Sequence, residues 1–355
     1  MAAMPSAAAV YHGPPELTVS RAFSEWVLDP WVLAFILLLA AVYLVGVRRV
    51  RRSGQDWPAG RVVAFCVFGV GFAVIATMSW LGVYQNVLFY ARAAQTSMLM
   101  LLVPLFFALG RPLTLAIAAA PKTGARIEAV IRGRTARILT FPAITTLVLV
   151  VMPFLVYFTG WYAAGLTSTG VREVTYLALL LPGLVFFWTL LRVDPVPKEY
   201  PYVVALWITG AEVIGDAVLG LALIADPNVV ASIYYHALAR PWGPTLSTDQ
   251  VLGGGTLWVL GDIIGLPFLA AQLIQMIRED ESDAKVIDAE LDAADAEAAA
   301  EAAMSAAPAP GEAAGAQAGT AQAGTAPPRR PWWESDQRFA ERFEAIDSNA
   351  DQSQP

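Results

Sequence analysis

Glu212 and Asp216 stand four residues apart in the apolar stretch "ITGAEVIGDAVLG", so a helix there carries both carboxyls on one face. Asp262 lies in a second apolar stretch, "LGDIIGL", and like Asp216 it follows a glycine. Arg92, Gln95 and Thr96 share the spacing i, i+3, i+4 at the head of a third, "FYARAAQTSMLMLLVPLFFALG". Polar groups inside apolar runs are costly and mark candidate functional positions. Carboxyls at matching depth can share a proton or hold a small cation, which is the chemistry of a cation or proton transporter built on Glu212, Asp216 and Asp262. The opposing reading is that the charges pair with each other, Arg92 with Asp216 for example, and only set helix packing. Soft ligands for Cu(I) are also present: Met78, Met98, Met100, Met152 and Cys66. Met98 and Met100 are i, i+2 and do not face one another on a helix, and methionines in apolar runs are mostly packing. Asp216, Met98 and Met100 are therefore weak metal candidates.

The elements that must position these residues are membrane helices. Of 355 residues, 57% are apolar and 15% charged, with mean hydropathy +0.54. That balance belongs to a membrane protein. The net charge of −7 misleads, because 17 of the 30 acidic residues lie at or beyond Glu279. There is no basic block for nucleic acid. The single cysteine excludes an intrachain disulfide, and the two histidines, His12 and His236, leave little for an all-histidine metal site. Apolar runs near 20 residues predict an all-α, polytopic fold of seven transmembrane helices, at about 29–47, 62–82, 91–110, 138–158, 174–191, 201–225 and 256–277. Prolines inside the runs (Pro104, Pro153, Pro182, Pro267) are tolerable in such helices. The loops after the first, third and fifth spans hold 13 Lys and Arg, against 4 on the opposite side. This bias predicts the N-terminus outside, the C-terminus in the cytoplasm, and a multi-pass protein of the cell membrane. Two aspartates on adjacent helices also fit an intramembrane aspartyl protease. The tyrosine before the first Asp and the Pro-Ala-Leu turn of such proteases are absent.

Residues 1–28 form an extracytoplasmic lead-in, without the basic n-region followed directly by an apolar core that marks a signal peptide. Residues 29–280 form the membrane domain. Residues 281–355 are acidic, rich in Ala and Pro, and predict a disordered cytoplasmic tail with transient helix over 288–304. Near its end, "PWWESDQRFAERFEAI" (331–346) can place Trp332, Trp333, Phe339 and Phe343 on one apolar face, a docking motif for membrane or partner. The longest outer loop, 226–255, carries "RPWGP", whose prolines and glycine set turns, and "GGG", which permits close backbone approach. Its aromatic residues, Tyr234, Tyr235 and Trp242, suit a membrane interface.

Several of these segments resemble the CtaG family, seven-helix membrane proteins linked to assembly of cytochrome c oxidase and its copper. The resemblance runs over roughly 15–282. It is carried by "ELTVSRAFSEWVLDP", "RRSGQDWPAGR", "GVYQNVLFYARAAQTSMLM", "ALGRPLTLA" and above all "YYHALARPWGPTLSTDQVLGGGTLWVLGD". It implies a non-enzymatic assembly factor that acts on the extracytoplasmic side, an oxidase subunit as partner beside the lipid bilayer, and copper as the possible cofactor. It further implies a partner-binding loop containing Trp242, Gly243, Asp249, Gln250, Gly253, Gly254 and Gly255. The departures lie at the family's histidines. The family's third helix reads His-x-x-Gln-His, where this chain has Arg92, Gln95 and Thr96. Its other histidine positions fall on Val171, Thr175 and Asp216, and Asp262 replaces a Glu. Imidazole is the usual copper ligand and Arg92 repels a cation, so the expectation is a family copper site lost or strongly altered.

Overall fold

The computed structural model describes residues 11–198 and 200–306, and every regular element among them is a helix. Asp29 starts the first span. Its Oδ1 accepts the N–H groups of Trp31 and Val32, both at 3.2 Å, and Pro30 brings a preset φ to the first turn. The helix α1 (Pro30–Arg52) ends on Arg49, Arg51 and Arg52, cations that suit its negative C-terminal end. Next come α2 (Ala59–Tyr84), π-helical over Val63–Gly69, and α3 (Phe89–Ala119), π-helical over Met98–Leu102 and turned at Arg111, where φ is +53°. Then α4 (Pro142–Phe158) bends by 69° into the short α5 (Gly160–Thr167). Further along come α6 (Thr169–Leu191), α7 (Tyr202–Ala225), the short α8 (Ser232–Leu238) and α9 (Leu246–Ala306), and short helices also form at Val19–Ser24, Pro121–Ile131 and Arg134–Leu139.

Six of these helices are long and apolar enough to cross a membrane, and the bent pair α4–α5, counted as one span, brings the number to seven. The protein is a polytopic, all-helical membrane protein. We refer to the end where α1 begins as the N-side. The short helices α5 and α8 both lie on that side. Proline stands inside α4, α6 and α9 at Pro153, Pro182 and Pro267 without ending them. The helix α6 packs on α3 and α4, α4 packs on α7, and α2 packs on α3. By contrast α1 stands at the rim, with Leu37 and Leu38 turned outward as a lipid-facing stripe.

Three boundaries differ from the sequence reading, each for a physical reason. The fourth span starts at Pro142, because 134–139 forms a separate short helix and a proline suits a first helical position. The outer loop ends near 245 instead of 255. Thr245 Oγ1 accepts the Thr248 N–H at 3.2 Å, and Gly253–Gly255 are helical in α9. Glycine's poor helix propensity is outweighed there by packing that only glycine permits: a Cβ on Gly254 would stand 2.7 Å from the Gly220 carbonyl oxygen of α7. At its far end α9 runs on to Ala306, through 281–306 where the composition reads as disordered tail. Alanine and glutamate dominate 288–304 and favour helix. The aromatic motif at 331–346 lies outside the described residues.

Candidate functional site

The N-side end of α3 is the best-furnished polar region, and it is built from distant parts of the chain. The first N–H groups of α3 have no partner within the helix. Asp249 of α9 supplies one, its Oδ1 accepting the Tyr90 N–H at 3.1 Å. The other Asp249 oxygen pairs with Arg240 at 3.2 Å, both side chains being almost wholly buried. Arg240 also donates to the Pro244 carbonyl at 2.8 Å and lies 5.1 Å over the Trp242 ring. Gly243 takes φ +76°, a left-handed conformation that glycine alone adopts freely, and so closes the "RPWGP" turn under Arg240. Gln250 binds the same loop: Oε1 accepts Val230 N–H at 2.7 Å, and Nε2 donates to Leu223 and Asn228 carbonyls, each at 3.1 Å.

One turn into α3, Arg92 is 3% exposed, and its Cζ sits 5.0 Å over the Tyr162 ring of α5. Its Nη1 has no hydrogen-bond partner. A Cβ on Gly165 would lie 2.6 Å from its Nη2, so the glycine of α5 makes the space the guanidinium fills. Around it, Phe89, Tyr157 and Tyr162 stack at 5.2 to 5.5 Å between ring centroids. Tyr162 and Tyr235 share a 2.8 Å hydrogen bond between hydroxyls, and Thr96 reaches the Tyr157 hydroxyl at 3.1 Å. Burial pushes the Tyr235 hydroxyl of α8 up, against the opposing Tyr162 hydrogen bond and Arg92 charge. Thr175 accepts Trp161 Nε1–H at 2.9 Å and flanks Gly165 from the other side. Gln95 donates to the Ala76 carbonyl at 2.8 Å and meets Tyr176, whose hydroxyl donates to Gln85 at 2.7 Å.

Deeper in the molecule, α7 and α9 share a second polar seam. Asp216 faces Gly261, where any Cβ would collide with its carboxylate. Glu212 faces Gly265, with a Cβ distance of 3.4 Å to its Oε2, and Thr209 donates to Gln272 at 3.0 Å. Glu212 and Asp216 are both buried one helical turn apart, and Glu212 Oε1 has no hydrogen-bond partner.

The structure thus brings Arg92, Thr96 and Thr175 together and sets Asp216 in another assembly, with no ion pair or hydrogen bond to Arg92. Val171 lines a shallow hollow with Gly160, Trp161 and Gly170. Met98 and Met100 lie in the π-helical turn, Met100 buried in the apolar core. A guanidinium, two hydroxyls and an isopropyl group, with one carboxyl elsewhere, do not fit a copper ion. Among the described residues no group of three or more His, Cys, Asp and Glu stands in metal-holding geometry. Of the loop residues, Asp249, Gln250, Gly253 and Gly254 are buried and bind this chain's own helices, while Trp242, Gly243 and Gly255 reach the surface. The sequence reading missed the tyrosines of the cage. Their signal is a hydroxyl inside an apolar run, in "VYF" and "WYAAG".

These features define a multi-span helical protein with a polar, tightly tied N-side cap. The chain belongs to the family of cytochrome c oxidase caa3 assembly factors, whose model matches residues 41–279. It is 29% identical over 291 residues to an uncharacterized protein of Mycobacterium bovis, and equally to one of Mycobacterium tuberculosis. An uncharacterized protein of Mycobacterium leprae is 26% identical over the same length. Each alignment covers 80% of this chain and 44% of the relative, so the chain spans less than half the length of the curated relatives it matches. No solved structure matches.

Proposed function

We propose that this chain is a cell-membrane assembly factor for cytochrome c oxidase that holds an oxidase subunit at its N-side, and that it carries no copper on its own helices. The observation behind this reading is Arg92. A fixed, buried positive charge occupies the position where the family places a metal ligand, and aromatic rings and Gly165 hold it there. The 13 to 4 distribution of basic residues supports an extracytoplasmic N-side and a cytoplasmic C-terminus. On that surface Trp242 and Gly243 are the accessible part of the loop that Asp249 and Gln250 anchor, and Gly255 is accessible on α9. The test is cytochrome c oxidase activity in membranes of a deletion strain, grown with and without added copper. The expected result is a loss that copper does not restore. Restoration by copper overturns the copper-free part of the reading, and unchanged activity overturns the assembly role. Trp242→Ala combined with Gly255→Arg should lower oxidase assembly while the protein still inserts.

The α7–α9 seam favours a second reading, a conduit for protons or a small cation through Glu212, Asp216 and Asp262. Glycines opposite the two carboxyls make the space that the carboxyls fill inside the bundle. Flux into proteoliposomes that Asp216→Asn abolishes is the measurement for it, and absence of any flux removes it.

A further inference from the structure

Away from the Arg92 cage, the N-side rim holds a cavity of about 560 Å³ between the lead-in to α1, the α2–α3 connection and the start of α6. Glu25, Asp29, Arg172, Glu173, Gln85 and Asn86 line it. Asp29 is already engaged, capping α1 with one oxygen and standing 3.9 Å from Arg172 with the other. Three buried atoms on residues that line this cavity have no partner: Glu173 Oε1, Asn86 Oδ1 and Arg172 Nε. Two are acceptors without a donor, and one is a donor without an acceptor. Buried polar atoms are nearly always satisfied, so three on the residues of one cavity wall point to a missing group of complementary chemistry. That group has several N–H donors beside an anionic oxygen. The cavity carries three carboxylates against one guanidinium, which favours a cationic donor.

A second cavity, of about 160 Å³, adjoins the first and shares Trp31, Thr77 and Glu173 with it. Its walls are nearly all apolar, including Phe35, Ile36, Leu39, Leu99, Val103 and Phe107. Along α1 it descends from Trp31 to Leu39, about 12 Å at the helical rise. The Tyr176–Gln85 hydrogen bond joins the two cavities, since Tyr176 lines one and Gln85 the other. Leu177, on the wall of this groove, is exposed toward lipid, so the groove lies where a chain from the bilayer can enter.

We infer that this composite site binds one phospholipid with a primary-ammonium headgroup. The ammonium donates to Glu173, Asn86 and Glu25, a phosphate oxygen accepts from Arg172, and one acyl chain lies in the groove between α1 and α6. A trimethylammonium headgroup is excluded by the same chemistry, because it has no N–H to give Glu173 and Asn86. The site is independent of the oxidase reading and stands or falls without it.

The test uses the full chain in nanodiscs made from equal parts of phosphatidylethanolamine, phosphatidylcholine and phosphatidylglycerol. After detergent extraction, the retained lipid is identified by native mass spectrometry. The wild type should retain phosphatidylethanolamine over phosphatidylcholine by about tenfold, as expected for charge-assisted hydrogen bonds. Glu173→Gln should reduce that preference to the bulk ratio, while Glu128→Gln on an exposed helix far along the chain leaves it unchanged. Leu180→Trp, which fills the apolar groove and leaves every head contact in place, should lower retention of all lipids. Unfolding temperature in detergent reports separately whether each variant folds. Equal retention of the two headgroups by the wild type overturns the inference. So does an unchanged preference in Glu173→Gln, or a wild type that carries a protein segment in the groove and no lipid.

Discussion

Two arginines are buried at the N-side, and they are held in opposite ways. Arg240 has a carboxylate at 3.2 Å, a carbonyl at 2.8 Å and the Trp242 face at 5.1 Å. Arg92 has the Tyr162 face at 5.0 Å and the space over Gly165 but no carboxylate, and in both arginines Nη1 has no hydrogen-bond partner. Arg240 is part of a clamp: its Asp249 also ties the head of α3 to the head of α9, across 159 residues of chain. Arg92 makes no ion pair among the described residues, although the desolvation of a cation is expensive. The two arginines thus differ in whether a carboxylate offsets that cost, and substitution of each tests what the difference does.

The largest effect should come from breaking the clamp. Asp249→Ala leaves Arg240 buried without its carboxylate and removes the acceptor for Tyr90 N–H. Losing one partner of a buried ion pair costs about 3–5 kcal/mol. Thermal unfolding in detergent should show a large fall, with oxidase assembly lost as a consequence of misfolding. A drop under about 1 kcal/mol would mean that solvent already satisfies Arg240.

Arg92→Leu should behave the other way. It forfeits a cation–π contact of about 0.5–2 kcal/mol and relieves the burial of an unpaired charge. Its unfolding temperature should therefore stay near that of the wild type, while oxidase assembly falls. A destabilisation as large as that of Asp249→Ala would erase the distinction between the two arginines and return Arg92 to the scaffold. Arg92→His with Thr96→His sharpens the same point, because it sets two imidazoles one turn apart. Competition with a Cu(I) chelator should detect copper on that variant and none on the wild type.

Much of the fold was legible because membrane helices announce themselves through length and apolarity alone. The seven crossings come from runs such as 29–47 and 174–191, which need no tertiary information. The boundaries were less legible where tertiary contact outweighs local preference. Gly253–Gly255 read as a loop, yet they are helical because α9 must touch the backbone of α7 at Gly220. The polar positions in the helices were found by their cost, and Arg92, Gln95, Glu212 and Asp216 are all buried. Their grouping was not legible. Arg92 and Asp216 both lie toward the N-side in sequence, but the rotation of α3 and α7 sends one to the tyrosine cage and the other to the α9 glycines. A hydropathy reading gives depth along a helix and nothing about azimuth. For the same reason Asp249 and Gln250 read as loop residues open to a partner, when each points inward to an unpaired backbone group.

The smallest effect tests how dry the cage around Arg92 is. Tyr235 loses its proton near pH 10 when unfolded, and burial raises that value in the folded protein. A raised folded value gives stability that is fully present below pH 10 and is lost as pH climbs toward the folded value. Tyr235→Phe removes the hydrogen bond to Tyr162 at a cost of about 1 kcal/mol. Between pH 7 and 9 the variant should unfold at a lower temperature than the wild type by a constant margin. Above pH 10 the margin should shrink, because only the wild type carries the added alkaline penalty. A margin that stays constant to pH 11 would mean that water reaches the Tyr235 hydroxyl and the Arg92 guanidinium behind it. The unpaired charge would then need no ligand to explain it, and the contrast with Arg240 would reduce to one of solvation.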